Sequence, residues 1–290
     1  MNESPRRLLL LGTALLAVLG TVCAAQTAAN KADFDHQHSA LTSLLEQHVS
    51  PAGLIDYAAL KDAPAALTAY LQQLADVAEA DLSAQDEATQ MAFWINAYNA
   101  LTLKLIIDHY PIPSSGVFGG LFGGGQSITN IDGAWDKLRW PVAGKQRTLD
   151  DIEHNILRKN FAEPRIHFAL VCASLGCPDL RREAYSGMRL ERQLQEQTLR
   201  FLNNPNKGLN IERGRDRVSV SSIFDWFDED FDCIDEPLQM AARLSTKRRS
   251  LVCFIAGQLL PSDPRREYLL QRNYSLRFLD YDWSLNQQPQ

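Results

Sequence analysis

The chain has 290 residues, enough for one large domain or two small ones. Hydrophobic residues make up 45% and charged residues 22%, a balance that is typical of globular proteins and excludes a disordered chain, a collagen-like fibre or a bare coiled coil. The net charge of -6 argues against broad nucleic-acid binding, which requires a basic face. We therefore expect no nucleic-acid partner.

Residues 1–25 have the three-part layout of a secretory signal peptide. Two arginines precede an apolar run at 8–22, and small residues follow it. Because this run is shorter than the roughly 20 apolar residues of a membrane span, we expect cleavage after Ala25 and no stable membrane span afterwards. An uncleaved anchor and lipidation of Cys23 stay open as alternatives. The predicted location is periplasmic or secreted, and 26–33 is predicted to be a disordered lead.

The rest of the chain alternates helical and extended patterns without an internal repeat or a clear linker. Apolar spacing and capping signals predict helices at 34–49, 64–77, 87–109, 149–158, 190–203 and 237–259. Extended segments are predicted at 54–57, 135–148 (a hairpin), 166–172, 217–220 and 274–283. The glycine-rich stretch 116–125 is predicted to be a mobile flap. We therefore predict a single α+β domain over residues 34–286, mostly helical with a small β-sheet of short strands.

Two asparagines occupy the most apolar of the predicted helices. Asn96 and Asn99 are three positions apart and share one face of a helix that is apolar almost all round. A buried amide without a hydrogen-bond partner costs on the order of 1–3 kcal/mol. The pair therefore either holds the backbone of a loop or lines a binding site, and both alternatives stay open.

The helix predicted at 149–158 carries ionisable residues beside its buried stripe. Glu153, His154 and Arg158 lie at neighbouring positions on its polar side. This pattern fits either a solvated face with ion pairs between successive turns or the acid–base part of a site.

The strand predicted at 166–172 places Cys172 at its carboxyl end, where small residues follow. Ligands bind at the carboxyl ends of strands in open α/β layouts, and a thiolate is a good nucleophile there if its pKa is lowered. His167 could be the base, but positions five apart on a strand point to opposite faces, so His154 is at least as good a candidate. Alternatively, Cys172 and Cys177 form a structural disulfide or are inert buried thiols.

The other two cysteines of the predicted mature chain have no predicted role. Cys253 lies in an apolar helix and is predicted to be an inert core thiol. Cys233 follows the acidic run 228–232, which is predicted to be a solvated face or helix end. No metal site is predicted, because no second Cys or His pair lies at zinc-ligand spacing and no EF-hand spacing occurs. No cofactor is expected.

Four segments of the chain match one family pattern when they are taken together: 93–101, 149–158, 164–178 and 281–286. In these segments the chain resembles the DUF547 family, a widespread domain family of unknown function, over about residues 35–286. The resemblance implies a bacterial-type exported domain without an established activity. It also implies that one site unites Asn96, Asn99, Glu153, His154, Arg158, His167 and Cys172.

The sequence favours a site centred on Cys172, and its first interpretation is an enzyme. The protein would be a thiol-dependent hydrolase or acyl transferase that acts on a peptide-like or thiol-containing small compound. Cys172 would be the nucleophile, and His154 or His167 would be the base. Glu153 or Asn96 would orient that base.

Backbone N–H groups near Ser174 would complete this enzyme by forming an oxyanion hole. In a second interpretation, the same pocket is a non-catalytic binding module for a small anionic or thiol ligand. Arg158 or Arg165 would then pair with a carboxylate of the ligand. In a third, the domain is structural, and a disulfide joins Cys172 to Cys177.

Overall fold

The computed structural model of the protein describes residues 34–113, 125–233 and 244–289. From Asp35 onward these residues form one unit. Its α-helices, α1 to α11 in chain order, are Ser39–His48, Tyr57–Asp62, Ala65–Asp76, Glu79–Ser83, Glu87–His109, Arg158–Asn160, Ile166–Ala169, Leu190–Leu202, Ile223–Trp226, Thr246–Gln258 and Pro264–Gln271. A π-helix, Asp151–Leu157, directly precedes α6. The strands of the described ranges, β1 to β5, are Trp140–Val142, Lys145–Arg147, Leu209–Glu212, Arg217–Val220 and Ser275–Phe278.

The strands form two small sheets. β1 and β2 make an antiparallel hairpin in which Trp140 pairs with Arg147. The second sheet has the order β3-β4-β5, with β3 antiparallel and β5 parallel to β4. Helices dominate the described residues, so the predicted mostly helical α+β fold with short strands is confirmed. The strands are divided between two sheets where one was predicted.

The buried helix α5 carries both of the predicted site asparagines. It begins after Asp86, whose carboxylate accepts a hydrogen bond from the backbone N–H of Thr89 (2.8 Å), and it ends before Tyr110. The predicted bounds are confirmed, because the long apolar run and the proline that follows it are strong local signals. All residues from 91 to 107 except Lys104 are buried. α5 contacts α2, α3, α8 and the π-helix.

The segment predicted as a buried strand, 166–172, is a helical turn followed by extended residues. In α7, Ile166–Ala169, backbone N–H groups donate to carbonyls three residues back, as from His167 to Pro164 (3.3 Å). The extended residues that follow are held by the amide side chain of Asn99. The strand prediction was wrong because a short apolar run fits a buried strand and a buried helical turn equally well.

Other predicted elements agree in position but differ in type or length. The predicted helix 149–158 is a π-helix that continues into α6, and the strand predicted at 274–283 contains only the four residues of β5. Three predicted segments lie at least partly outside the described residues: the leader and lead (1–33), the glycine-rich flap 116–125 except its last residue Gly125, and residues 237–243 at the start of the predicted helix 237–259. Within the described ranges, no helix is both long enough and apolar enough for a membrane span.

An aromatic cluster anchors α7 to the core beside the second sheet. Phe168 is fully buried, and its ring centroid lies 5.2 Å from that of Phe201 and 5.6 Å from that of Phe224. Burying a phenylalanine stabilises a fold by roughly 1.5–3 kcal/mol. This contact fixes the orientation of α7, and hence the position of the neighbouring His167.

Cys233 and Cys253 form a disulfide bond, which joins the chain before the segment 234–243 to α10. The prediction that Cys253 is an inert core thiol was therefore wrong. The two cysteines are 20 positions apart, and the sequence offered no signal for their pairing. Cys172 and Cys177 are free thiols in the structure.

Candidate functional site

A cavity of about 230 Å³ unites the predicted catalytic residues. Its polar lining consists of Tyr98, Asp150, Glu153, His154, His167, Cys172 and Cys177. Its apolar lining consists of Trp135, Leu170, Ile223, Trp226, Phe227 and Trp283, and Tyr281 contributes both a ring and a hydroxyl group. The structure thus places Cys172, Glu153 and both candidate histidines at one cavity. Among the described residues that line it, none is a lysine or an arginine.

The loop after Cys172 is held by the C-terminal part of the chain. The backbone N–H of Leu175 donates to Ser284 O (2.8 Å), and the N–H of Gly176 donates to Asp282 O (2.8 Å). A Cβ atom at position 176 would lie 2.9 Å from the backbone nitrogen of Asp282, so only glycine fits. Ala173 has a φ of 57°, a left-handed conformation that turns the chain directly after the cysteine.

The Cys172 sulfur has three polar neighbours and is half-buried. The distances are 2.8 Å to Cys177 Sγ, 3.1 Å to Tyr281 Oη and 3.4 Å to Ser174 Oγ. Hydrogen bonding from Cys177, helped by Ser174 and Tyr281, lowers the pKa of Cys172 to about 7 although burial opposes the shift. A substantial fraction of Cys172 is therefore thiolate at neutral pH.

Neither histidine forms a hydrogen bond with Cys172. His167 donates from Nε2 to Asp230 Oδ2 (2.7 Å), its Nδ1 lies 3.9 Å from Glu153 Oε1, and its ring stacks on Phe227. Burial lowers the pKa of His167 although Asp230 raises it. The prediction that His167 and Cys172 point to opposite faces was wrong. Residues 166–172 do not form a strand, and both residues line the cavity.

Glu153 is a buried acid in the cavity lining, close to His167. Glu153 is 8% exposed, and Tyr98 forms a hydrogen bond with its carboxyl group. Burial raises the pKa of Glu153 to about 7, and the negative charge of Cys172 contributes in the same direction. At neutral pH this carboxyl group can therefore either donate or accept a proton.

His154 lies at the edge of the cavity, with 39% of its side chain exposed. Its Nδ1 accepts a hydrogen bond from Arg158 (3.1 Å), and its Nε2 lies 3.8 Å from Asp150. Burial lowers the pKa of His154. The contacts between successive turns, one of the two alternatives for this helix, are therefore present.

The two asparagines of α5 hold loops in place and do not line the cavity. Asn96 donates to Tyr185 O (2.8 Å) and accepts from the N–H of the same residue (2.9 Å). Asn99 donates to Ala169 O (3.0 Å) and accepts from the N–H of Val171 (2.9 Å). Of the two alternatives for this pair, the structure favours the loop-holding one. Asn99 thereby fixes the backbone directly before Cys172.

The predicted anion-binding arginines are engaged by carboxylates. Arg158 donates to Asp230 (2.6 Å) and to Glu229 (2.7 Å). Arg165 donates to Glu163 and to Glu191, each at 2.7 Å. Neither arginine lines the cavity.

The backbone N–H groups of the loop around Ser174 are only partly available for an oxyanion hole. The N–H of Cys177 donates to Ser174 O (3.2 Å), and those of Leu175 and Gly176 donate to the C-terminal segment. The N–H groups of Ala173 and Ser174 have no acceptor among the described residues. These two are the donors that remain, and both residues are buried and absent from the cavity lining.

Sequence reasoning missed three polar residues of the site. Asp230 lies in the acidic run predicted to be solvated, yet it accepts hydrogen bonds from His167 and Arg158. Tyr98, between the two asparagines, and Tyr281, in the closing segment, both lie in stretches that carry the family resemblance, which was the only available signal for them. No group of three or more His, Cys, Asp or Glu side chains in the described part of the chain is arranged to hold a metal ion.

Comparison with known proteins covers three of the four segments that carry the resemblance, and the closing segment 281–286 lies outside the match. A family model described as "Protein of unknown function, DUF547" matches residues 82–202. Over these residues the chain is similar to the DUF547 family. The match confirms the resemblance seen in the sequence, and the matched DUF547 region holds α5, the π-helix, α7 and the cysteine loop. Neither the curated proteins nor the solved structures provide a match.

Proposed function

We propose that the protein is a thiol-dependent hydrolase or acyl transferase with Cys172 as its nucleophile. The substrate would be a peptide-like or thiol-containing small compound. The observation that carries the proposal is the environment of Cys172: its sulfur opens to a cavity and lies within hydrogen-bond distance of Cys177 and Tyr281. These contacts stabilise the thiolate, which is the nucleophilic form.

The first step is attack of the Cys172 thiolate on the acyl carbon of the substrate. Because the pKa of Cys172 is about 7, this step needs no histidine to remove a proton at neutral pH. We assign the tetrahedral oxyanion to the N–H groups of Ala173 and Ser174, which have no acceptor among the described residues, although neither residue lines the cavity. The tetrahedral intermediate then collapses. The bond between the acyl carbon and the leaving group breaks, and the new carbon–sulfur bond remains as the thioester intermediate.

Glu153 is the acid that protonates the leaving group and then the base that activates the incoming water or acceptor. A carboxyl group with a pKa of about 7 suits both steps at neutral pH. His167 lies 3.9 Å from Glu153 and is held by Asp230, so it positions the carboxyl group rather than the cysteine. This assignment reverses the roles expected from the sequence, where a histidine was the base and Glu153 its support.

The non-catalytic alternative with an anionic ligand is less well supported. The cavity lining contains Asp150 and Glu153 and no lysine or arginine, and Arg158 and Arg165 are already paired with carboxylates. An anion would enter this cavity against a negative field. The structural alternative needs a disulfide between Cys172 and Cys177, whereas both are free thiols in the structure.

The test is acyl transfer from a panel of small thioesters and activated peptide esters, with intact-mass detection of the acylated enzyme. We expect an acyl adduct on Cys172 and a burst of the first product. Cys172→Ser keeps the shape of the site and removes the thiolate, so it should form no thioester. Full turnover in a folded Cys172→Ala protein would contradict the proposal.

We also propose that the protein is exported to an oxidising compartment. The disulfide between Cys233 and Cys253 supports this location, since such bonds persist there, and residues 1–25 have the layout of a leader. In a bacterial host, the periplasmic fraction should contain protein that begins after Ala25. Recovery of the full-length chain from the cytosol alone would contradict the proposal.

A further inference from the structure

We propose a second activity for the same loop: Cys172 and Cys177 form a redox-active dithiol that reduces small disulfides, with a preference for cationic ones. This activity goes beyond acyl transfer, because it uses Cys177, which the hydrolase does not require as a reacting group. It depends on the distance between the two sulfur atoms and on the lining of the cavity.

The geometry of the two sulfurs carries the first part of the proposal. Cys172 Sγ and Cys177 Sγ are 2.8 Å apart, and both residues line the cavity. A disulfide needs an S–S distance of about 2.05 Å, so closure moves the sulfurs by less than about 1 Å within one loop. The N–H of Cys172 also donates to Cys177 Sγ (2.9 Å), which keeps the second sulfur directed at the first.

The two cysteines differ in a way that divides the reaction between them. Cys172 is half-buried and has the lowered pKa, so it is the attacking thiolate. Cys177 is 2% exposed, and burial together with the neighbouring Cys172 charge raises its pKa. When Cys172 is bound in a mixed disulfide, it no longer carries a negative charge. One cause of the raised pKa of Cys177 is then removed, so Cys177 can act as the resolving thiol.

The reaction balances with the small disulfide as the only oxidant. The Cys172 thiolate attacks one sulfur of R–S–S–R, an S–S bond forms, and the first RS⁻ leaves. Cys177 then attacks Cys172 Sγ, its proton passes to the departing second RS⁻, and the intramolecular disulfide closes. Two electrons leave the protein dithiol, and two RS groups are released as thiol and thiolate. A dithiol reductant resets the protein.

The lining of the cavity carries the preference for cations. Asp150 and Glu153 are its carboxyl groups, and the nearby Arg158 is neutralised by Asp230 and Glu229. Trp135, Trp226, Phe227, Tyr281 and Trp283 supply aromatic faces. Aromatic faces beside carboxylates favour ammonium groups. The volume, about 230 Å³, suits a small compound rather than a folded protein disulfide.

The experiment uses the full-length chain with Cys172 and Cys177 reduced and three disulfides of matched length. Cystamine is cationic, bis(2-hydroxyethyl) disulfide is neutral and 3,3′-dithiodipropionate is anionic. The rate at which the protein reduces each disulfide is divided by the rate at which 2-mercaptoethanol reduces the same disulfide, which corrects for the intrinsic reactivity of the compound. We expect cystamine to react about 10-fold faster than the neutral compound on this scale, with the anionic compound slowest. A flat or reversed order overturns the preference for cations.

Variants separate the two steps and the two proposals. Cys177→Ser should accumulate a mixed disulfide on Cys172 that the parent protein resolves, and peptide mapping should find the Cys172–Cys177 bond in the parent only. Asp150→Asn should reduce the ratio of the cystamine rate to the hydroxyethyl rate. A parent protein that retains the mixed disulfide overturns the dithiol. If an acyl adduct still forms on Cys172 in that protein, the proposed acyl transfer is supported and only the proposed dithiol activity is wrong.

Discussion

The two sulfur atoms of the site lie in one loop, yet their pKa values are shifted in opposite directions. Hydrogen bonds from Cys177, Ser174 and Tyr281 lower the pKa of Cys172, whereas burial and the charge of Cys172 raise that of Cys177. The donor Tyr281 comes from the far end of the chain. At the residue scale, therefore, the reactivity of Cys172 depends on hydrogen-bond donors and not on an imidazole.

Tyr281→Phe should raise the pKa of Cys172 by about one unit, because it removes a donor to the thiolate and leaves the ring in place. The measurement is the rate of iodoacetamide labelling of Cys172 against pH, followed by peptide mass mapping. The parent protein should give a midpoint near pH 7. A midpoint near pH 9 in both proteins would show that these hydrogen bonds do not stabilise the thiolate.

Glu153→Gln should make the protein more stable at high pH only. The pKa of Glu153 is raised from 4.5 to about 7 in the folded state, so between these values the folded state binds more protons than the unfolded state. Stability then falls as pH rises through that window, by about 3 kcal/mol in total. Glutamine does not ionise, and its carbonyl can still accept a hydrogen bond from Tyr98.

Urea unfolding of the Glu153→Gln and parent proteins at about pH 4 and about pH 8 checks this sign. The variant should be more stable at the higher pH, by up to about 3 kcal/mol, and nearly equal to the parent at the lower pH. The same difference at both pH values would mean that Glu153 is not a neutral acid in the fold.

At the scale of elements, predictability followed the strength of local signals. The bounds of α5 were predicted, because its apolar run is long and a proline follows its end. The conformation of the segment 166–172 was not predicted correctly, because its few apolar residues specify burial and not backbone conformation. Glu153, His154, His167 and Cys172 could be chosen from residue type and family resemblance. Asp230 could not, since its partners are distant in sequence.

The asparagines of α5 provide a matched pair for testing which loop matters to the cysteine. Asn96 and Asn99 each bridge a backbone N–H and a carbonyl, so replacing either by alanine leaves two backbone groups unsatisfied and should cost about 2 kcal/mol of stability. Only Asn99 holds the residue before Cys172. Asn99→Ala should therefore also slow iodoacetamide labelling of Cys172, whereas Asn96→Ala should not. Equal labelling in both variants would contradict this positioning role.

At the scale of the whole molecule, the site is completed by segments from both ends of the described chain. Asn286 accepts a hydrogen bond from Tyr57 (2.7 Å), and its carbonyl accepts from the N–H of Ile55 (3.0 Å). The N–H of Asn286 donates to Ala173 O (3.2 Å), beside the cysteine. The matched family region, 82–202, contains Cys172 but neither of these flanking segments, so that region alone lacks the Tyr281 donor.

The disulfide between Cys233 and Cys253 should stabilise the whole molecule by about 3 kcal/mol, because it closes a loop of about 20 residues in the unfolded chain. The measurement is urea unfolding in a Cys172→Ser/Cys177→Ser background, which leaves this bond as the only target of a reductant among the described residues. Dithiothreitol should lower the free energy of unfolding by that amount. Adding Cys233→Ser and Cys253→Ser should produce the same loss and abolish the effect of the reductant. If the reductant leaves the stability of the background protein unchanged, the two cysteines are not bonded in solution.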